Sequence, residues 1–82
     1  MPYADFFWTE ENIEHIAQHG VRPEEFEYVV LHPERRDVSR SSGLPCCWGT
    51  TPGGRLLFCV YEKIDELTVL PVTAYEPTQD EP

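Results

Sequence analysis

The stretch from Trp48 to Tyr61, W-G-T-T-P-G-G-R-L-L-F-C-V-Y, decides how this chain folds. Thr51-Pro52-Gly53-Gly54 is its clearest turn signal, because proline presets φ and glycine admits the angles a reversal needs. The flanking residues are aromatic, β-branched or apolar, which suits a pleated surface. Cys46 to Thr50 and Arg55 to Tyr61 therefore read as two strands around that turn, the second being the strongest strand of the chain. Upstream, Ser42-Gly43-Leu44-Pro45 reads as another turn, and Arg36 to Ser41 alternates weakly. Downstream, Lys63 to Glu66 turns the chain into a last strand, Leu67 to Tyr75. Pro71 lies inside that strand and calls for a bulge or an edge position.

The N-terminal third changes period. Tyr3 to Trp8 is short and aromatic-rich, and reads as a strand. Thr9 is an N-cap followed by Glu10 and Glu11, where the helix dipole favours acids. Ile13, Ile16 and Ala17 form the expected buried stripe, and Gly20 ends this helix. Pro23 opens a second helix with Glu24 and Glu25 beside it. Phe26, Val29 and Val30 repeat at helical spacing, and His32-Pro33 stops the run. Two short helices so closely joined predict an αα-hairpin. The expected order is β-α-α-β-β-β, an α+β domain over residues 1–76 in which an antiparallel sheet packs against the αα-hairpin. Residues 77–82 are acidic, with two prolines and no apolar residue, and are expected to form a loose tail.

With 82 residues, the chain has room for one core, small enough that a partner or a second copy could complete it. Its 40% hydrophobic and 12% aromatic content argues against disorder. No apolar run approaches the ~20 residues of a membrane span. The start, MPYADFFWTE, lacks a basic and an apolar region, so a cytoplasmic protein is expected. Three cysteines, Cys46, Cys47 and Cys59, are too few for a disulfide framework and read as small buried hydrophobes. Neither they nor His15, His19 and His32 complete a four-ligand set, so no metal or cofactor is expected.

The net charge of −9 is unevenly placed. Residues 1–34 carry eight acids and one base, residues 62–82 six acids and one base. Residues 35–61 carry Arg35, Arg36, Arg40 and Arg55 against Asp37 alone. A polyanion is repelled at long range, yet a local arginine patch can hold a phosphate inside the ~8–10 Å reach of unscreened charge.

Four landmarks recur in order: W-T-x-E-N-I-x-H-I-x-x-H-G-V from Trp8, P-E-E-F-E-Y-V-V from Pro23, the hairpin from Trp48, and T-V-L-P-V-T-A-Y-E from Thr68. Together they resemble the BrnT family of bacterial toxins, over about Phe7 to Glu76. The specific pieces are Asn12, His19-Gly20-Val21, G-x-T-x-x-G-R from Gly49 to Arg55, and Ala74. The resemblance implies a RelE-like fold, a ribonuclease of a type II toxin–antitoxin system, and a dedicated antitoxin with a DNA-binding role; a homodimer is a further expectation. In the family's usual pattern the last strand runs into Ser-Ala-Arg, further basic residues and a helix. Here Thr73-Ala74-Tyr75-Glu76-Pro77 stands in that place, and Pro77 argues against the helix. That departure makes a catalytically silent binding module, held by a basic partner, the second expectation.

Metal-independent RNA cleavage needs a base for the 2′-hydroxyl, an acid for the 5′-oxygen and cations for the phosphorane. Arg55 is the expected phosphate cation, because its planar fork matches two phosphate oxygens, with Arg40 converging from the neighbouring strand. The other reading of Arg55 is an ion pair with one of the many carboxylates. His19 is the candidate base or acid, sharing a helix face with His15. By resemblance Tyr75 and Glu76 stand at the site edge, Tyr75 to stack on a base and Glu76 to accept a proton. Trp48 could also stack on a base, and Trp8 is expected to pack against the first helix.

Overall fold

The computed structural model describes residues 5–77. Its elements are β1 (Asp5–Phe6), α1 (Glu10–Ala17), α2 (Pro23–Leu31), β2 (Arg35–Val38), β3 (Pro45–Thr50), β4 (Leu56–Lys63) and β5 (Thr68–Tyr75). That is an α+β fold with one more strand than the expected order, since the weakly alternating Arg36 run is a full member of the sheet. The five strands lie in the order β1-β5-β4-β3-β2. The sheet is not wholly antiparallel: β1 runs parallel to β5, with Asp5 opposite Thr68 and Phe6 opposite Val69. Tyr3 and Ala4 of the expected first strand, and residues 78–82 of the expected tail, lie outside the described residues.

Local signals set the element ends. The Thr9 side chain accepts from the Asn12 N–H at 3.1 Å, capping α1. Gly20, at φ 74°, lies in the left-handed region where the chain leaves α1, and the Val21 N–H closes onto Ile16 O at 3.0 Å. The Arg22 N–H is met by Glu25 Oε1 at 3.0 Å, which satisfies one of the open donors at the start of α2. The Thr51–Gly54 turn forms as the sequence predicts: Thr51 Oγ1 accepts from the Arg55 N–H at 3.1 Å, and the Gly54 N–H reaches Thr51 O at 2.9 Å.

Each helix makes its main contact with the sheet, α1 over β5 and α2 over β3 and β4. The core between them contains Ile16, Val21, Phe26, Val29, Val30, Cys47, Leu57, Cys59 and Val69. Phe26 is its centre, with Trp8 and Phe6 edge-on at 5.4 and 6.3 Å. Trp8 thus packs against the second helix as well as joining the cluster that holds Ile16 of the first, and its indole N–H donates to Glu27 Oε2 at 2.8 Å. The expected α1 stripe also shrinks: Ile16 is buried, whereas Ala17 is exposed and Ile13 is 38% exposed. The α1 helix lies over β5, whose outer side β1 covers only at Thr68 and Val69, so part of the helix overhangs the sheet margin.

One irregularity sets which residues face out. Val60 pairs with Thr73 and Tyr61 with Pro71, leaving Val72 as an extra residue in β5. This bulge, next to the proline that signalled it, shifts the alternation of β5. Val69, Pro71 and Ala74 lie on the helix side and are buried.

Candidate functional site

The face of the sheet opposite the helices carries a line of rings. Trp48 stands opposite Phe58, and Phe58 opposite Tyr75, so the three lie in one row across β3, β4 and β5. Their centroids are 4.8 and 5.3 Å apart. All three are half-buried, with ring surface left to solvent. At the β2 end Arg35 is the register partner of Trp48, and its guanidinium carbon lies 5.0 Å from that ring's centroid. This is a cation–π contact, which holds a positive charge at the head of the row. At the other end His19 approaches Tyr75 at 6.0 Å, and His15 approaches His19 at 5.5 Å. His15 Nε2 shares a 2.9 Å hydrogen bond with Thr73 Oγ1, tying α1 to β5.

A turn rises beside this row. The Ser39 N–H donates to Leu44 O and the Gly43 N–H to Ser39 O, each at 2.7 Å, closing the β2–β3 connection. Together with the sheet face it bounds an open cavity of about 620 Å³, lined by residues that include Arg40, Trp48, Phe58, Val60 and Tyr75. That volume lies inside the ~300–1,000 Å³ range of small-ligand sites. Asp37 and Cys46 lie on the same lining. Burial, with Asp37 nearby, pushes the Cys46 thiol up, so it sits there as a neutral group.

Arg55 occupies the opposite end of the β3–β4 hairpin. Its Nε donates to Glu76 Oε2 at 2.7 Å. Its Nη1 donates to Gly20 O at 2.9 Å and to both Glu25 oxygens at 3.2 Å. The guanidinium therefore joins the end of α1, the first turn of α2 and the end of β5. The bond to Glu76, with both carboxylates adding their charge, raises its pKa further, so it is cationic at every working pH. Arg55 is the paired arginine of the second sequence reading, and a phosphate reaching it would meet two carboxylates.

Four of the five expected site residues come together. Arg55 bonds Glu76, Glu76 follows Tyr75, Tyr75 meets His19, and His19 precedes the Gly20 carbonyl that Arg55 also bonds. The expected convergence of Arg40 with Arg55 does not occur. Arg40 lies in the turn that leads into Pro45, whereas Arg55 follows the turn after Thr50, and these are opposite ends of a six-residue strand. A strand of that length spans roughly 17 Å. Arg40 instead lines the cavity shared with Trp48 and Tyr75.

Sequence reasoning missed Phe58 and Arg35 as members of this surface. The alternation of β4 puts Phe58 on the face opposite Leu57 and Cys59, a signal that was available, but the register that aligns it with Trp48 and Tyr75 is non-local. Among the described residues, no three His, Cys, Asp or Glu side chains gather as a metal site. Cys47 and Cys59 pair across β3 and β4 inside the core. The hydrogen bond between their sulfurs draws the Cys47 thiol down, while that bond and burial push Cys59 up.

Comparison with solved structures finds this fold in the ribonuclease toxin BrnT of Brucella abortus. The TM-score is 0.74 at 12% sequence identity, covering 92% of this chain and 97% of that one. At that identity the likeness shows the fold. No family model matches the sequence, and no curated protein matches it. No helix among the described residues is long and apolar enough to cross a membrane.

Proposed function

We propose that this chain is a BrnT-type ribonuclease toxin, cytoplasmic, and held in check by an antitoxin of its own with a DNA-binding role. The observation that carries the reading is the meeting of His19, Tyr75, Glu76 and Arg55 at one end of the open sheet face, on a fold also found in a ribonuclease toxin. The fold alone would not suffice, since folds host many functions and a site must supply the chemistry.

In this reading His19 takes the proton from the 2′-hydroxyl as that oxygen attacks phosphorus. The 5′-oxygen leaves with a proton, and the products are a 2′,3′-cyclic phosphate and a 5′-hydroxyl. His15, at 5.5 Å from His19, donates that proton in this reading. Tyr75 orients the base beside the scissile bond. Arg40, on the cavity lining and away from the acid–base end, holds a neighbouring phosphate of the bound strand. Arg55 becomes a positioning residue that fixes Glu76 and the Gly20 carbonyl, and through them the mouth of the site.

The test is expression of the chain alone in a bacterium, followed by growth and total RNA integrity. Arrest with RNA fragmentation in wild type, both lost in His19→Gln and Arg40→Ala, supports the reading. Normal growth and intact RNA, with folded soluble protein present, sinks it. One observation favours a second reading, a silent binding module for a basic partner: Arg55 is already engaged by Glu25 and Glu76. That reading predicts that a partner rich in Arg and Lys co-purifies with a protein that leaves RNA uncut.

A further inference from the structure

The ring row extends beyond the acid–base end, across three strands. We propose that the open sheet face is a binding track for unpaired RNA, in which Trp48, Phe58 and Tyr75 hold successive bases by stacking while Arg35 and Arg40 hold phosphates. This deepens the ribonuclease reading and rests on it for the nature of the nucleic acid.

Three observations carry the proposal. First, the rings occupy one register line, so they act as a set at fixed spacing. Second, neighbouring rings are tilted by 43° and 56°, not stacked face to face, and all three residues stay half-buried. The main buried cluster lies on the other side of the sheet, under the helices, while on this face Cys46 and Val60 are buried beside the rings. Third, two of the three rings, Trp48 and Phe58, lie in the stretch of the chain with a positive balance. Residues 35–61 hold four arginines and one acid, while the residues before and after are strongly acidic. Arg35 stands at the head of the row and Arg40 on the cavity lining. A basic protein segment would meet those arginines with like charge, whereas a phosphate backbone complements them.

The geometry also selects the form of the nucleic acid. In a duplex the bases are stacked on one another and their faces are unavailable, so a platform of rings favours single strands. Stacking is tolerant of sequence because every base has a π-face. Two arginine contacts give a shallow salt dependence, with a slope of about −0.7 per phosphate for a single strand. The track therefore relies on ring contacts more than on charge, which suits a chain of net charge −9.

The test uses the full chain and a fluorescein-labelled, unpaired 2′-O-methyl RNA octamer. The methyl group removes the attacking hydroxyl, so binding is read without cleavage. Anisotropy titrations would compare wild type with Trp48→Leu, Phe58→Leu and Trp48→Phe, each checked for its thermal melt. A blunt duplex of the same sequence serves as competitor. We expect each leucine variant to bind about tenfold more weakly, as loss of one stacked base implies. Trp48→Phe should stay close to wild type, because it keeps a ring. The duplex should compete far more weakly than the single strand. Wild-type affinity in both leucine variants, equal competition by duplex, or no binding of the octamer would each overturn the track. Cleavage of unmodified RNA separates the two claims. Ring-dependent binding by a protein that never cuts RNA sinks the ribonuclease reading and keeps the track. Cutting that is indifferent to both leucine variants does the reverse.

Discussion

Leu57 and Phe58 are neighbours in β4, yet they meet different surroundings. Leu57 is fully buried beneath the helices, among Ile16, Phe26 and Val69. Phe58 is half-buried on the far side, between Trp48 and Tyr75, with solvent beyond. The same alternation separates Cys47, in the core, from Cys46 and Trp48 on the open lining. One face has spent its apolar surface on stability. The other buries Cys46 and Val60 but leaves Trp48, Phe58 and Tyr75 half-buried, and there the ring surface is open to a ligand.

That contrast breaks most sharply under truncation of an aromatic ring. Phe26→Ala should cost about 3–5 kcal/mol, because the ring is fully buried and the cavity it leaves cannot be refilled. Against a typical stability of ~5–15 kcal/mol this leaves a protein close to unfolding, as denaturant titration would show. Phe58→Leu should cost under about 1.5 kcal/mol, since it keeps most of its volume at a half-buried site. Equal losses at the two positions would mean that the open face is a second core.

A smaller effect is expected at Gly49, where β3 passes beneath α2. A Cβ there would lie 3.0 Å from Val29 Cγ1 and 3.4 Å from His32 O. Gly49→Ala should therefore destabilise by about 1–3 kcal/mol through overpacking. A neutral result would show that α2 can lift, which would weaken the claim that the helix face is close-packed.

Arg55→Ala comes next, at about 1 kcal/mol, because surface ion pairs are weak and the side chain is one-third exposed. Part of that loss arises from leaving Glu25, only 12% exposed, without its cation. Arg55→Lys should restore little, since one ammonium cannot reproduce the fork that spans Glu76, Gly20 and Glu25. Thermal melts at low and high salt would check both.

The smallest effect is expected at Asp65, in the β4–β5 turn. Its carboxylate accepts from the Leu67 and Thr68 N–H groups at 2.9 and 2.8 Å, which holds its pKa below the usual carboxylate range. A depressed folded pKa gives stability that is fully present above the unfolded value, about 3.9, and is lost as pH falls through the folded one. Amide exchange at Leu67 and Thr68 should accelerate at that acid edge in wild type, and be fast throughout in Asp65→Ala.

How much of this was legible follows from how local each signal is. Thr9, Gly20, Pro23 and Thr51-Pro52-Gly53-Gly54 act within a few residues, and the elements they bound appear where expected. The strand order, the parallel β1–β5 pair and the partner of Trp8 depend on residues far apart in sequence, and propensity does not encode them. Ile13 reads as core by spacing but lies at a sheet margin that only topology defines. The same holds for the site. Arg55 reads as a phosphate cation until Glu25 and Glu76, 30 and 21 residues away, are brought to it. Phe58 reads as one more strand residue until the register places it in a row.

The extra residue at Val72 carries a consequence in parity. On a strand, odd and even positions face opposite ways, and β5 changes its count once, between Pro71 and Ala74. If Val72 were taken into the regular pairing, every position after it would exchange sides: Ala74 would turn outward and Tyr75 towards the helices. A one-codon deletion at Val72 does the opposite of harm to that pattern, because Pro71, Thr73, Ala74 and Tyr75 then alternate regularly on the sides they already occupy. The inside and outside of the last part of the chain thus hang on one residue being left out of the count, not on which residue it is.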